Sequence, residues 1–228
     1  MTYRLVVLTL AALATVSADQ SKEATKRIQA ASEVLQEIMA APDKGIPDWV
    51  LERAHCAVII PGMKQGGFVV GARYGKGVAV CRHAKGGWSG PSTVRAEGGS
   101  FGLQIGGGEV DTVLFVMNEK GKDKLLKSRF TLGGELAAMA GPVGRAAKAE
   151  TDALMHAKIL SYSRSRGVFA GAVIQGATLR PDDDDNKAIY AKDVTHEQIL
   201  GGGVAPPESA RSLITMLGRY SWREQKGE

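Results

Sequence analysis

Basic side chains are the residues of this sequence whose types and spacing suggest a specific interaction. Lys64, Arg73, Lys76, Arg82 and Lys85 fall within 22 positions. Gathered on one rim, they attract anionic head groups, at about 1 kcal/mol each beside a charged bilayer. Lys22, Lys26 and Arg27 lie on a helix-patterned segment that is a candidate interfacial helix. Its apolar face carries no tryptophan or phenylalanine, so packing of that face on a sheet is the competing reading.

Catalytic patterns fail one by one. A nucleophile elbow needs Gly-x-Ser-x-Gly, because its sharp turn accepts only small flanks. The nearest string, Gly87-Trp88-Ser89-Gly90-Pro91, puts proline where the second glycine belongs. His55, His83, His156 and His196 lack the i, i+4 spacing of a zinc pair, and no Cys-x-x-Cys occurs. The clusters Gly98-Gly99-Ser100-Phe101-Gly102 and Gly106-Gly107-Gly108 lack the lysine of a phosphate cradle. Gly141-Pro142-Val143-Gly144-Arg145 reads as a tight chain reversal, with an anion-binding nest as its rival. Asp182 to Asp185, with Asn186, lack the glycine and terminal glutamate of a calcium loop. Solvated charge, or the acidic start of a helix, is the expectation there. Neither catalysis nor a metal or cofactor is expected.

The elements that must carry these residues change character along the chain. Ala24, Ile28, Ala31, Leu35 and Ile38 recur every three or four positions, which predicts a helix over Gln20–Met39. A short helix over 48–54 follows. Cys56–Ile60 is a continuous apolar run, read as a strand stopped by Pro61-Gly62. Residues 68–74 and 78–82 read as two strands of a hairpin around Gly75-Lys76-Gly77. Further strands are expected over 100–105, 112–117, 136–140, 158–164 and, bent at Gly171 and Gly176, 168–179. Short helices are expected over 122–128 and 185–191. Thr195 can cap a helix over 196–200, and Pro206-Pro207 open a last one over 208–220. The fold class is α+β: a glycine-rich antiparallel β-sheet or partial barrel flanked by N- and C-terminal helices.

Met1 to Ala18 reads as a secretory leader, with Arg4 before an apolar core and a small-residue site at Val16-Ser17-Ala18. The expectation is a leader over 1–18 and a single domain over 19–228, exported to the periplasm or secreted, and peripheral to a membrane. The formal net charge of +5 permits anionic partners, and export disfavours nucleic acid. Cys56 and Cys81 each sit in an apolar run. In an oxidising compartment they can pair, which stabilises by about 3 kcal/mol. As buried thiols they act as small hydrophobes, and both readings stand.

Several strings follow one another along the chain. They run Ala57-Val-Ile-Ile-Pro-Gly-Met-Lys64, Gly67-Phe-Val-Val-Gly-Ala-Arg-Tyr-Gly-Lys-Gly77 and Gly87-Trp-Ser-Gly-Pro91. Gly102-Leu-Gln-Ile-Gly106, Asp111-Thr-Val-Leu-Phe-Val-Met-Asn118 and Ala140-Gly-Pro-Val-Gly-Arg145 follow. The most characteristic is Ile159-Leu-Ser-Tyr-Ser-Arg-Ser-Arg-Gly-Val-Phe-Ala-Gly171. Taken in order, these strings resemble the SYLF-domain family of lipid-binding and actin-regulating proteins. The resemblance implies a non-catalytic module that binds anionic phospholipids or phosphoinositides through its first helix and a basic surface. Actin or another protein partner is the alternative. On this chain the surface would draw on Lys64, Arg73, Lys76, Arg164 and Arg166; the two last arginines have a rival structural role, ordering the sheet. Export shifts the expected ligand from signalling phosphoinositides toward envelope phospholipid.

Overall fold

At Cys56 the hydrophobic period changes from helical to strand-like, and the architecture turns on that point. The computed structural model describes residues 2–40, 45–68, 70–83, 86–101, 106–127, 130–133, 138–144, 157–165, 168–172, 174 and 176–221. The fold is α+β, a curled mixed sheet with helices before and after it. Helix α1 (Thr2–Ala40) precedes α2 (Asp48–Arg53). Strands β1 (Cys56–Phe68), β2 (Val70–Cys81), β3 (Ser92–Phe101) and β4 (Gly106–Val116) lead to α3 (Glu119–Leu126). Then come β5 (Phe130–Thr131), β6 (Ala138–Ala140), β7 (Ile159–Ser165), β8 (Val168–Gly171) and β9 (Ala177–Pro181). Helices α4 (Asp183–Tyr190), α5 (His196–Leu200) and, after a 3-10 turn, α6 (Arg211–Tyr220) close the chain.

The strands lie in the order β5-β9-β3-β2-β1-β4-β7-β6, with β8 also on β7. The pairs are antiparallel except β6 with β7. Both faces of the central strands are covered, which is why Cys56–Ile60 is apolar without alternation. On one face Ile59, Val78, Val80, Phe115 and Tyr162 meet α1, α2 and α6. On the other, Val58, Ile60, Ala79, Leu114 and Ile159 meet Leu125 of α3 and Leu200 of α5.

The apolar stripe of α1 packs on the sheet: Ala24, Ile28, Ala31, Leu35, Ile38 and Met39 are buried. That settles the choice posed by its spacing, since the stripe is not free to lie in a membrane interface. The helix also starts at Thr2, well before the predicted Gln20. Among the described residues no helix is long and apolar enough to cross a membrane. Cys56 stands opposite Cys81 in the β1–β2 ladder, and the two form a disulfide with Cα atoms 4.0 Å apart. They occupy a closely spaced, non-hydrogen-bonded pair, because the Cys81 amide and carbonyl both bond to Ser89 instead.

Two strand boundaries differ from the pattern. Gly75-Lys76-Gly77 is not a turn; β2 runs through it, and the β1–β2 reversal falls between Phe68 and Val70. Nor does Pro61-Gly62 end β1. The register shifts there between Ile59 and Lys64, forming a bulge with Gly62 at φ 55°. The bulge lies against β2, and a Cβ on Gly77 would sit 2.2 Å from the Ile59 carbonyl oxygen. The glycines that look like a turn are space for the neighbouring bulge. Gly77→Ala should therefore destabilise the protein by about 1–3 kcal/mol in urea unfolding, as overpacking against rigid backbone does. The 168–179 segment is likewise two strands, β8 on β7 and β9 between β3 and β5. Finally, β3 begins at Ser92, ahead of the strand expected over 100–105, and its alternating Val94-Arg95-Ala96-Glu97 stretch puts Val94 and Ala96 in the core; residues 102–105 lie outside the described residues.

Candidate functional site

Where α1 crosses the β1 bulge, a groove of about 520 Å³ opens between helix and sheet. Its lining includes Lys26 and Arg27 from α1, Lys64 from β1, and Tyr74 and Lys76 from β2. The bulge explains this convergence. It brings Lys64 opposite Tyr74, on the α1 side, two positions along β2 from Lys76. Tyr74 is 47% exposed, one of the two large hydrophobics exposed among the described residues.

The groove is paired in charge. Lys26 Nζ lies 2.6 Å from Glu23, and Lys64 Nζ 3.8 Å from Glu109, with all four groups at least half exposed. Such pairs contribute little and exchange readily for other partners. The other two cations are held differently. Arg27 Nη1 is 2.6 Å from Asp185 Oδ2. Lys76 Nζ is 2.7 Å from Asp182 and 3.2 Å from Asp185. Arg95 Nε approaches Asp182 at 3.6 Å, and Gln20 donates to Asp185 at 3.2 Å. Both carboxylate side chains are only 4% exposed.

Burial by itself would raise the Asp185 pKa, but the hydrogen bonds and charges of Arg27, with Gln20 and Lys76, hold it below the usual carboxylate value. Burial would likewise lower Lys76, and the two aspartates outweigh it and hold the ammonium above its ordinary value. The acidic run is the start of helix α4, the second of the two readings expected of it, with Asp183, Asp184 and Asp185 in the first turn. Its two buried members, Asp182 and Asp185, clamp the middle of α1 to β2 and β3, while Asp183 and Asp184 are exposed.

The remaining basic candidates lie elsewhere. Lys22 is exposed, one helical turn before Lys26. Arg73 projects from the opposite face of β2 to Tyr74. Arg82 donates to the carbonyls of Leu51, Ala54 and Ser221 and stacks 4.8 Å from the Trp88 ring centroid. Arg164 bonds Asp111 at 2.7 and 2.9 Å and also pairs with Glu37 of α1. Lys85 and Arg166 lie outside the described residues. Lys26, Arg27, Lys64 and Lys76 come together; Arg82 and Arg164 do not join them.

One constellation looks catalytic and is not built for access. Ser92 Oγ lies 2.7 Å from His196 Nδ1, as in a nucleophile–base pair. Ser92 is fully buried, His196 Nε2 lies 2.8 Å from the Leu125 carbonyl oxygen, and Asn186 Nδ2 donates to Ser92 Oγ at 3.0 Å. No substrate carbonyl can reach that oxygen, and the cluster serves to fix α4 and α5 to β3. Among the described residues no three His, Cys, Asp or Glu side chains converge as a metal site.

Comparison with known proteins places the sequence. The profile of the Ysc84 family, described as "Las17-binding protein actin regulator", matches residues 97–220. An SH3 domain-containing protein of Schizosaccharomyces pombe is 35% identical over 186 residues, covering 80% of this chain and 43% of its own length. The human SH3 domain-containing YSC84-like protein 1 is 31% identical over 211 residues, covering 92% of this chain and 61% of its own. Protein YSC84 of Saccharomyces cerevisiae is 34% identical over 179 residues, covering 77% and 38%. This chain therefore spans less than two thirds of the length of these curated relatives.

Proposed function

Since this chain belongs to the Ysc84 family, we propose that it is a non-catalytic binding module that docks on an anionic phospholipid surface through the groove between α1 and the β1 bulge. The observation that carries the reading is the convergence of Lys26 and Lys64, from distant parts of the chain, in exposed and exchangeable ion pairs beside Tyr74. A head-group phosphate competes with Glu23 and Glu109 for these ammonium groups, and Lys22 adds a further charge on the same helix. The buried stripe of α1 is not needed for this contact. The leader-like segment before Asp19 and the Cys56–Cys81 disulfide support an extracytoplasmic setting, where envelope phospholipid is the anionic surface at hand.

Vesicle co-sedimentation of the full chain tests the reading. Vesicles one-third phosphatidylglycerol should bind it more tightly than pure phosphatidylcholine vesicles, with the difference shrinking as salt rises. Reversing Lys26 and Lys64 together to glutamate should reduce the anionic-specific binding at least about tenfold, at roughly 1 kcal/mol per charge near the surface. Equal binding to both vesicle types would remove the proposal. The family description favours a second reading, in which the same groove receives an acidic protein surface such as actin. Loss of filamentous-actin co-sedimentation in the double reversal, without any vesicle binding by the parent, would select it.

A further inference from the structure

The groove presents four cations, yet its two most deeply placed ones already have an anionic partner supplied by the protein. Arg27 and Lys76 line the groove wall, while their charged ends meet Asp182 and Asp185 at 2.6 to 3.2 Å. Those carboxylates are buried, unlike Glu23 and Glu109 at the rim. A phosphate at the rim can displace an exposed glutamate by simple exchange. It cannot displace Asp185 without leaving a buried carboxylate unpaired, which is strongly unfavourable.

We propose that Asp182 and Asp185 act as an internal anionic ligand of the groove, sequestering Arg27 and Lys76 and setting its affinity below that of the four-cation site. The inference rests on the reading of the groove as an anion-binding site and names its regulation.

The anchoring of α4 makes the device separable from folding. Asn186 Oδ1 accepts from the Thr93 amide at 2.7 Å and its hydroxyl at 2.8 Å, and Asn186 Nδ2 donates to Ser92. The Asp182 backbone bonds Thr93 in both directions. None of these bonds involves the two carboxylates. Neutralising Asp185 therefore removes the internal competitor while α4 stays seated on β3. Freed from one carboxylate, Arg27 loses its ion-pair partner and Lys76 keeps only Asp182, so both ends can turn toward the groove.

A cycle of full-length variants on vesicles one-third phosphatidylglycerol tests this. Asp185→Asn should bind about tenfold more tightly than the parent at low salt, with a steeper salt dependence. The exposed neighbour gives the control: Asp183→Asn makes the same change in net charge and should gain only a few-fold. Arg27→Gln with Lys76→Gln should lose no more than the few-fold per charge that the Asp183→Asn control sets, because those cations are already engaged. Adding these two substitutions to Asp185→Asn should erase its gain.

Circular dichroism and thermal unfolding confirm that each variant folds. Should Asp185→Asn fail to fold, Asp182→Asn with Lys76→Gln gives an equivalent cycle. Binding by Asp185→Asn no tighter than by Asp183→Asn would overturn the inference. So would a loss in the Arg27/Lys76 double variant well beyond a few-fold per charge, as large as that of the Lys26/Lys64 reversal, which would place both cations already in play. In either case anionic-specific binding by the parent leaves the groove reading intact. Its absence in the parent and in Asp185→Asn alike overturns both.

Discussion

Arg82→Ala is expected to lower the unfolding free energy by about 3–5 kcal/mol, a large share of the 5–15 kcal/mol typical of a domain. The guanidinium sits where two helices end. Leu51 and Ala54 carry orphan carbonyls at the C-terminus of α2, and Ser221 carries one at the end of α6. Arg82 donates to all three, at 2.9, 3.0 and 3.1 Å. A cation at a helix C-terminus also interacts favourably with the macrodipole. Its flat face lies over Trp88, whose indole N–H donates to Ser221 Oγ at 2.9 Å, so one side chain closes the junction of β2, α2 and α6. Alanine leaves three acceptors without their charged donor, each worth about 1.5 kcal/mol or more.

Urea unfolding followed by tryptophan fluorescence measures the loss, and the melting temperature should fall by about 10 °C. Arg82→Lys should recover less than half, since one ammonium cannot reproduce a planar fork. Anionic vesicle binding by the folded Arg82→Ala protein should match the parent, because Arg82 lies away from the groove. A variant of parental stability that lost vesicle binding would reverse this assignment and make Arg82 a surface contact.

Arg82 also marks where sequence patterns stop being informative. Charge and spacing group it with Lys64, Arg73 and Lys76, and nothing local shows that its partners are carbonyls of helices 28 or more residues away. The same holds for Asp185, whose ion-pair partner Arg27 is 158 positions distant. A run of four aspartates reads as solvated charge or as the acidic start of a helix, and the helix start is what forms, but no local pattern identifies which members a remote surface will cover. Local features were legible: the α1 stripe, the buried core of β1, the Thr195 cap, and the Pro206-Pro207 opening of the last helix; the structure adds Gln198, which completes a capping box with Thr195.

Glycine misled at Gly75 and Gly77 for a physical reason. A glycine required by φ > 0 and a glycine required by close approach look alike in sequence, and here neither residue has a positive φ. Four of the basic candidates do converge at the groove. The carboxylates that balance them were the missing half of the site, and finding them needed the β2–β3–β9 pairing that delivers α4 to the middle of α1.

The polar knot that seats α4 should be nearly as costly to break as the Arg82 junction. Asn186→Ala is expected to destabilise by about 2–3 kcal/mol, because it strands the buried Thr93 amide and takes one partner each from the Thr93 hydroxyl and Ser92 Oγ, which keep the Asp182 carbonyl and His196. The same knot gives the protein an acid limit through His196. Burial lowers the His196 pKa below its ordinary 6.5, and the hydrogen bond to Leu125 only partly opposes it. The folded state therefore disfavours the imidazolium, whereas the unfolded chain protonates at its ordinary value. Stability is full above pH 6.5 and falls as pH drops through the window between the unfolded and folded pKa values, by up to about 1.4 kcal/mol per unit.

Asp185 acts in a different window. Its pKa is lowered, so its contribution is present above the ordinary carboxylate range and is lost only as pH falls through the lowered value. Urea midpoints between pH 7.5 and 5 should thus decline in the parent and stay flat over the His196 window in His196→Gln, whose midpoint at pH 7.5 is lower from the start. Hydrogen exchange at the Thr93 amide should quicken in the parent at pH 5.5 relative to the rate expected from pH alone. An unchanged slope in His196→Gln would assign the acid sensitivity to another group and leave the knot a pH-independent anchor. With the slope abolished, the anchoring of α4, and through it the placement of Asp185 beside Arg27 and Lys76, is coupled to one buried imidazole.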